Sequence, residues 1–414
     1  MSKRVLIYES LALGHRAYYT QVLAEGLIAS GFDVTLAMPA QEIESPEGAC
    51  TVQKLLGQLP VHSIPSIEPT LDWKWSQRRF QQIVAVANQL QPDHLYIPSA
   101  DGIAQVWGSQ LRPGRCFPRQ TVVEGLMMRA TSAYPSETIK QSVIKRLNTK
   151  LVMRSPWHRL HYLDPLSMRA LSRTTNRKFA GRLRLLPEAI EPLSVSNRAT
   201  AIKILGLREF EGKFITCPGE VDERKGSDLL IQAFQVANLG PTVRLILAGR
   251  HSAKIRHLLA NDYRQLVIEN RIISIDRFAT NAEFDCLFAI ADLVATPYSR
   301  HMGSSSIVIR GAHAGKKILA SNWGWVGWAT QNFSLGVTCD VNNVPAFAEA
   351  IKQGIQASGP DLKTDRQLFL QYHTLANHQS HWLALIRELT GLPAQTIIAF
   401  PFPSCKSSGS VRLG

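Results

Sequence analysis

Cysteine is scarce and scattered in this chain. The six residues Cys50, Cys116, Cys217, Cys286, Cys339 and Cys405 form no C-x-x-C pair and have no histidine in ligand spacing. That pattern argues against a disulfide framework and against zinc, and the thiols are expected to be reduced, mostly in the core. Long apolar runs are also missing. No segment reaches the roughly 18 apolar residues of a spanning helix, and MSKRVLIYES offers only a four-residue apolar run before Glu9, so no signal peptide is expected. The expected location is therefore the cytoplasm. Acidic residues are the third shortage, with 32 Asp and Glu against 46 Lys and Arg and a formal net charge of +14.

The positive excess is concentrated. Between Arg112 and Arg184 stand 16 Lys or Arg and only three acids, Glu124, Glu137 and Asp164. Within that segment Ile139, Val143, Leu147 and Leu151 recur every four residues with Lys140, Lys145, Arg146 and Lys150 between them, which describes a basic amphipathic helix. Such a helix is either the solvated outer face of a domain or a surface for an anionic acceptor or membrane leaflet, giving peripheral membrane contact through residues 112–184. No helix-turn-helix, zinc-finger or RNP pattern accompanies the charge, so nucleic acid is not an expected partner.

A chain of 414 residues that is 45% hydrophobic and 19% charged is too long for one core and suits two domains. Strand and helix patterns alternate as in parallel α/β units. VLIY, DVTLAMP, HLYIP, QTVVE (ending at Glu124), KLVMRS (150–155) and LRLLPEAIEP read as strands of a first half, with a helix over 18–30 stopped by Gly31. KFITCPG, VRLILAG, RIISID, DLVATP and KILAS form a second series. The expected fold class is α/β, with domains at 1–190 and 191–375, a helix over 376–390 packing back on the first, and a disordered tail over 391–414.

The segment Pro297 to Ser321, PYSRHMGSSSIVIRGAHAGKKILAS, carries the most chemistry. A strand end leads into Gly303-Ser304-Ser305-Ser306, then an apolar-periodic helix stopped by Gly315, then another strand. Backbone N–H groups and the positive end of a helix dipole favour a phosphate at such a point, although a Ser-rich loop can equally be a plain N-cap.

Several stretches carry a family resemblance. PGEVDERKGSDLLIQAF (218–234), VRLILAGR, RFATNAEFDCLFAIADLVATPYS (277–299), Gly303 and AHAGKKILAS resemble the C-terminal domain of the retaining GT-B glycosyltransferases of family 4. The opening YESLALGHRAYYTQVLAEGLIASGFDVTLAMP is similar to the start of the same family, and the resemblance spans roughly residues 3 to 390. It implies two facing Rossmann-like domains, a nucleoside-diphosphate sugar held mainly by the second, a glycan or lipid-linked acceptor held mainly by the first, and no metal or cofactor.

Transferred residue by residue, the resemblance puts Lys225 on the donor diphosphate. Glu220 stands where the family has an Arg, leaving Arg224 as the nearest substitute, and the family's Glu-x7-Glu pair falls on Met302 and Arg310. His301, Gly303, Ser304 and Ser305 are similar to a His-x-Gly-Ser-Ser loop found in one branch of such enzymes. Arg310 is expected either to reach phosphate or ribose or only to pair with a surface carboxylate, and Ser304 and Ser305 to cap the helix and bind phosphate oxygens. The loop at Arg277-Phe278 is expected near the donor base.

In the first half, Gly14 lets the backbone approach the diphosphate, and His15 is a hydrogen-bonding candidate. Glu124 and Asp101 are candidate acceptor bases or charge stabilisers, each against the alternative of a helix cap or salt-bridge partner. The leading expectation is transfer of a sugar with retention to an acceptor hydroxyl. Alternatives are a catalytically silent GT-B scaffold that binds nucleotide sugar or glycan, and a nucleotide-sugar epimerase, for which the chain has too few acids.

Overall fold

The computed structural model describes residues 3–12, 15–44, 57–70, 72–129, 133–356 and 363–403. The chain divides into two compact units, Met1–Ala189 with Leu375–Ile398, and Ile190–Thr374 with Ala399–Gly414.

The first unit is built on a seven-stranded sheet in the order β3-β2-β1-β4-β5-β6-β7, every pairing parallel. Its strands are β1 (Arg4–Tyr8), β2 (Asp33–Pro39), β3 (Val61–Ile64), β4 (His94–Ile97), β5 (Val122–Met127), β6 (Arg159–Tyr162) and β7 (Leu183–Leu185). Apolar residues run without alternation along the central strands because both faces are covered. Leu6 and Tyr8 of β1 enter one core while Val5 and Ile7 enter the other. The Leu375–Thr390 helix belongs to the second of these cores, with Trp382, Leu383 and Ile386 fully buried in it.

The second unit repeats the plan with six parallel strands in the order β10-β9-β8-β11-β12-β13. These are β8 (Lys213–Pro218), β9 (Val243–Ala248), β10 (Ile272–Ile275), β11 (Leu293–Thr296), β12 (Lys317–Ser321) and β13 (Gly336–Cys339). Strand order reverses between β1 and β4 in one sheet and between β8 and β11 in the other. At such switch points the flanking connections leave on opposite faces, and a crevice opens at the carboxyl ends of the strands.

Three sequence expectations are corrected. KLVMRS is the C-terminal end of a helix, Ile139–Arg154, because the four-residue apolar period continues through Leu151 and the chain breaks only at Ser155. Strand β5 does not stop at Glu124 but runs on to Met127. Gly125 is there for space: a Cβ on it would sit 2.5 Å from the Trp157 ring. The tail is structured at least to residue 403. Asn377 exchanges two side-chain hydrogen bonds with the Ile398 backbone, and Phe400 packs against Tyr372, Phe333 and Trp328. Residues 404–414 lie outside the described residues.

Candidate functional site

In the second unit the switch point carries a compact cationic site. After β8 the chain passes Gly219 and enters a 3-10 turn, Glu223–Lys225, capped by Asp222, whose carboxylate accepts the Lys225 N–H at 2.8 Å. Gly226 follows with φ of 68°, and a Cβ there would fall 2.1 Å from the Pro297 carbonyl oxygen. Only glycine lets the turn press this closely on the end of β11. Lys225 is thereby held between two strand ends: a Cβ on Gly219 would meet its Nζ at 2.8 Å, and Nζ stands 5.7 Å from the Tyr298 ring centre.

Among the described residues the Lys225 ammonium has no hydrogen-bond acceptor and no carboxylate within ion-pair distance. Burial lowers its pKa, since a desolvated ammonium lacks the compensation water would supply. Tyr298 is buried, which raises its pKa, and the nearby Ser305 side chain offsets part of that rise. The His301 ring lies 5.0 Å from Tyr298, and its Nε2–H donates to the Ser304 carbonyl at 3.1 Å. Burial first, and then the charges of Lys225 and Arg224, hold the His301 pKa down and keep the ring neutral. Gly303 turns the loop with φ of 103°. Ser305 occupies the N-cap of the Ser306–His313 helix without a side-chain capping bond. Lys225, His301, Gly303, Ser304 and Ser305 thus come together around Tyr298, a residue to which sequence reading assigned no role.

Arg310, expected in the same site, is committed elsewhere. Arg310 bonds Asp285 at 2.7 Å, and the other Asp285 oxygen accepts the N–H and hydroxyl of Ser194. That pair ties the Ser306–His313 helix to the Asn281–Ile290 helix and spends the guanidinium on structure. Arg224 stays beside the site: it is exposed, pairs with Glu220 and Asp222 at 3.2 and 3.3 Å, and its charge still acts on Lys225 and His301. Met302 is exposed. Arg277 pairs with Glu283, leaving Phe278 exposed beside it.

The switch point of the first unit holds a buried ionic group that sequence reading missed. Glu9 follows β1 with its carboxylate fully buried, accepting the backbone N–H groups of Ser10 and Leu11. Arg16 and Arg79 approach it at 3.8 and 4.0 Å, and both guanidinium groups also lie near the Trp75 ring. Arg79 is itself fully buried and donates to the carbonyl and hydroxyl of Ser99 after β4. The one available signal was a charged residue directly after a four-residue apolar strand.

Asp101 stands in the same loop, but its two oxygens accept the Met128 and Arg129 N–H groups, so it clasps the end of β5. Gly14 lies outside the described residues; His15 begins the His15–Ala29 helix, and its side chain lies outside them too. Glu124 is placed where it cannot serve an acceptor. It sits inside β5, fully buried, with one oxygen 2.8 Å from His94 Nε2 and the other 2.9 Å from His161 Nε2. Burial would raise its pKa, yet the hydrogen bonds from His161 and His94 prevail and lower it to about 2. A sealed carboxylate this reluctant to take a proton is a structural ion.

No family model matches the chain, and no curated protein matches it in sequence. Solved structures do. The chain is similar to sucrose-phosphate synthase from Thermosynechococcus elongatus, with a TM-score of 0.70 and 15% identity over 94% of this chain and 99% of that one. Anabaena HepE in complex with UDP and glucose matches with a TM-score of 0.65 and 15% identity, over 94% of this chain and 100% of that one. The fold is GT-B. WaaG, a glycosyltransferase involved in lipopolysaccharide biosynthesis, shares this GT-B architecture at a TM-score of 0.60 and 14% identity, over 94% of this chain and 100% of that one.

Proposed function

We propose that this protein is a glycosyltransferase that moves a sugar from a nucleoside-diphosphate sugar to an acceptor hydroxyl, with retention and without a metal, in the cytoplasm. The observation that carries the reading is the Lys225 ammonium, held between Gly219, Tyr298 and the His301–Ser305 loop at a sheet switch point with no carboxylate at ion-pair distance among the described residues. A diphosphate is the ligand class whose charge complements such a site. The GT-B fold supports the reading, since one protein similar to this chain, Anabaena HepE, was solved with UDP and with UDP-glucose.

In the proposed reaction the bond between the anomeric carbon and the diphosphate oxygen breaks as a bond to the acceptor oxygen forms on the same face. Lys225 and the N-terminus of the Ser306–His313 helix stabilise the charge growing on the leaving diphosphate, a task given to a metal in other transferases. The acceptor proton passes to a departing phosphate oxygen, because Glu124 is sealed in its histidine pair and Asp101 is spent on backbone N–H groups. The acceptor is a glycan or a lipid-linked acceptor.

Replacing Lys225 with Ala should cut transfer roughly 100-fold, the usual loss when one preorganised charge-stabilising group goes. Unchanged donor turnover would sink the assignment, and the anomeric configuration of the product by NMR tests retention. A second reading, a silent GT-B scaffold, draws on Met302 and Arg310 standing where the resembling family has acids, and on the Arg310–Asp285 pair. Calorimetric binding of UDP- or GDP-sugars, with no diphosphate released across an acceptor screen, would favour it.

A further inference from the structure

The Ile139–Arg154 helix carries a face that no described residue of its own unit covers. Only Val152 is buried along its 16 residues, while Ile139 is 86% exposed, Val143 58%, Leu147 55% and Ile144 46%. These are not frayed ends. Thr138 and Gln141 form a complete capping box, and Lys145 donates to the Tyr134 carbonyl. At the other end the helix docks so tightly that a Cβ on Gly108 would meet the Leu151 carbonyl oxygen at 1.7 Å. The helix is rigid, and its apolar residues point outward by construction.

At 3.6 residues per turn, Ile139, Val143 and Leu147 lie within an arc of about 80°, and Lys140, Lys150 and Arg154 fall in or beside that arc. No acid interrupts the 16 residues. Leu111, 91% exposed, with Arg112 beside it, extends the surface past the helix end, where Arg154 donates to the Gln110 carbonyl. Exposed aliphatic side chains interleaved with long cations, on one firmly anchored helix, match an interface whose outer layer is anionic and whose interior is apolar. A soluble acidic protein would satisfy the cations and leave the aliphatic row to find its own pocket.

We propose that this helix docks the protein on the surface of a bilayer containing anionic lipid, lying in the interfacial plane with Ile139, Val143 and Leu147 inserted and Lys140, Arg146 and Lys150 among the headgroups. The aliphatic row is too short to span, and such helices bury their apolar face only about 5–10 Å deep. This inference stands apart from the nucleotide-sugar reading, because none of these residues belongs to either switch point.

The test is co-sedimentation of the full chain with vesicles of phosphatidylcholine alone and of phosphatidylcholine containing about one-third phosphatidylglycerol, the anionic surface being worth most at low salt. Binding to the anionic vesicles should be at least roughly tenfold tighter and should fall at about 0.5 M NaCl. Two variants separate the contributions. Val143→Ser with Leu147→Ser should abolish the salt-resistant part, and Lys140→Gln with Lys150→Gln should abolish the preference for anionic lipid. Circular dichroism should be unchanged in both, since all four side chains are exposed. Equal binding to both vesicle types, or wild-type binding by both variants, would overturn the proposal. So would self-association that the serine variant removes while no vesicle is bound, which would make the face an interface between copies.

Discussion

Lys225 is half-buried beside Gly219 with no carboxylate among the described residues to neutralise it, and that arrangement separates stability from function. Replacing it with Met removes a desolvated charge, so the ligand-free protein should melt roughly 2 °C higher while losing the thermal shift that a nucleotide sugar induces. A lower melting temperature, or an undiminished shift, would show that the ammonium is partnered within the protein. Glu124 presents the opposite case. Glu124→Gln should lower stability through the loss of two buried charge-assisted bonds, yet leave turnover per folded molecule near wild type. A selective loss of turnover at unchanged melting temperature would return Glu124 to the chemistry. Arg79→Met should cost about 3 kcal/mol or more in urea unfolding, because it removes a partner from buried Glu9. What could be read from sequence at this scale was local. His301, Gly303, Ser304 and Ser305 are near neighbours in one loop, and their types announce their use. Arg310 misled because its partner, Asp285, lies 25 residues upstream on another helix, a pairing that no spacing rule reports.

At the scale of elements, the alternation of strand and helix was legible because fully buried parallel strands are written as short apolar runs. Strands β3, β6 and β13 were missed: VHSI, RLHY and GVTC mix polar residues into their runs, and β3 and β13 are edge strands. Gly125 misled for a different reason, reading as a stop when its task is to admit the Trp157 ring against β5. The 3-10 turn before Gly226 is the element on which the candidate site depends most. Gly226→Ala forces a Cβ against the Pro297 carbonyl at a positive φ, so the turn must lift and carry Lys225 away from Tyr298. Donor turnover should fall with that variant at temperatures where most of the chain is still folded. Full activity would mean that the turn can shift without moving Lys225.

For the whole molecule, buried neutral histidines set the response to acid. Burial lowers the His378 pKa to about 3, and it lowers the His161 pKa from the same starting value of 6.5. The unfolded chain therefore takes up protons near pH 6.5 that the folded chain refuses, and stability must fall as pH drops below that point. Each such histidine contributes a slope of about 1.4 kcal/mol per pH unit. Glu124 adds a further loss between its ordinary 4.5 and about 2. Urea midpoints should decline from pH 7 to pH 5, and His378→Asn should flatten that decline; constant midpoints would mean these rings titrate freely. The returning Leu375–Thr390 helix has a consequence of another kind, in the order in which the protein is made. The first unit needs Trp382, Leu383 and Ile386 to close its core, and these leave the ribosome only after the whole Ile190–Thr374 segment has emerged. The half that begins the chain is thus among the last parts to be completed, and it must wait with an open apolar face while the other half is synthesised.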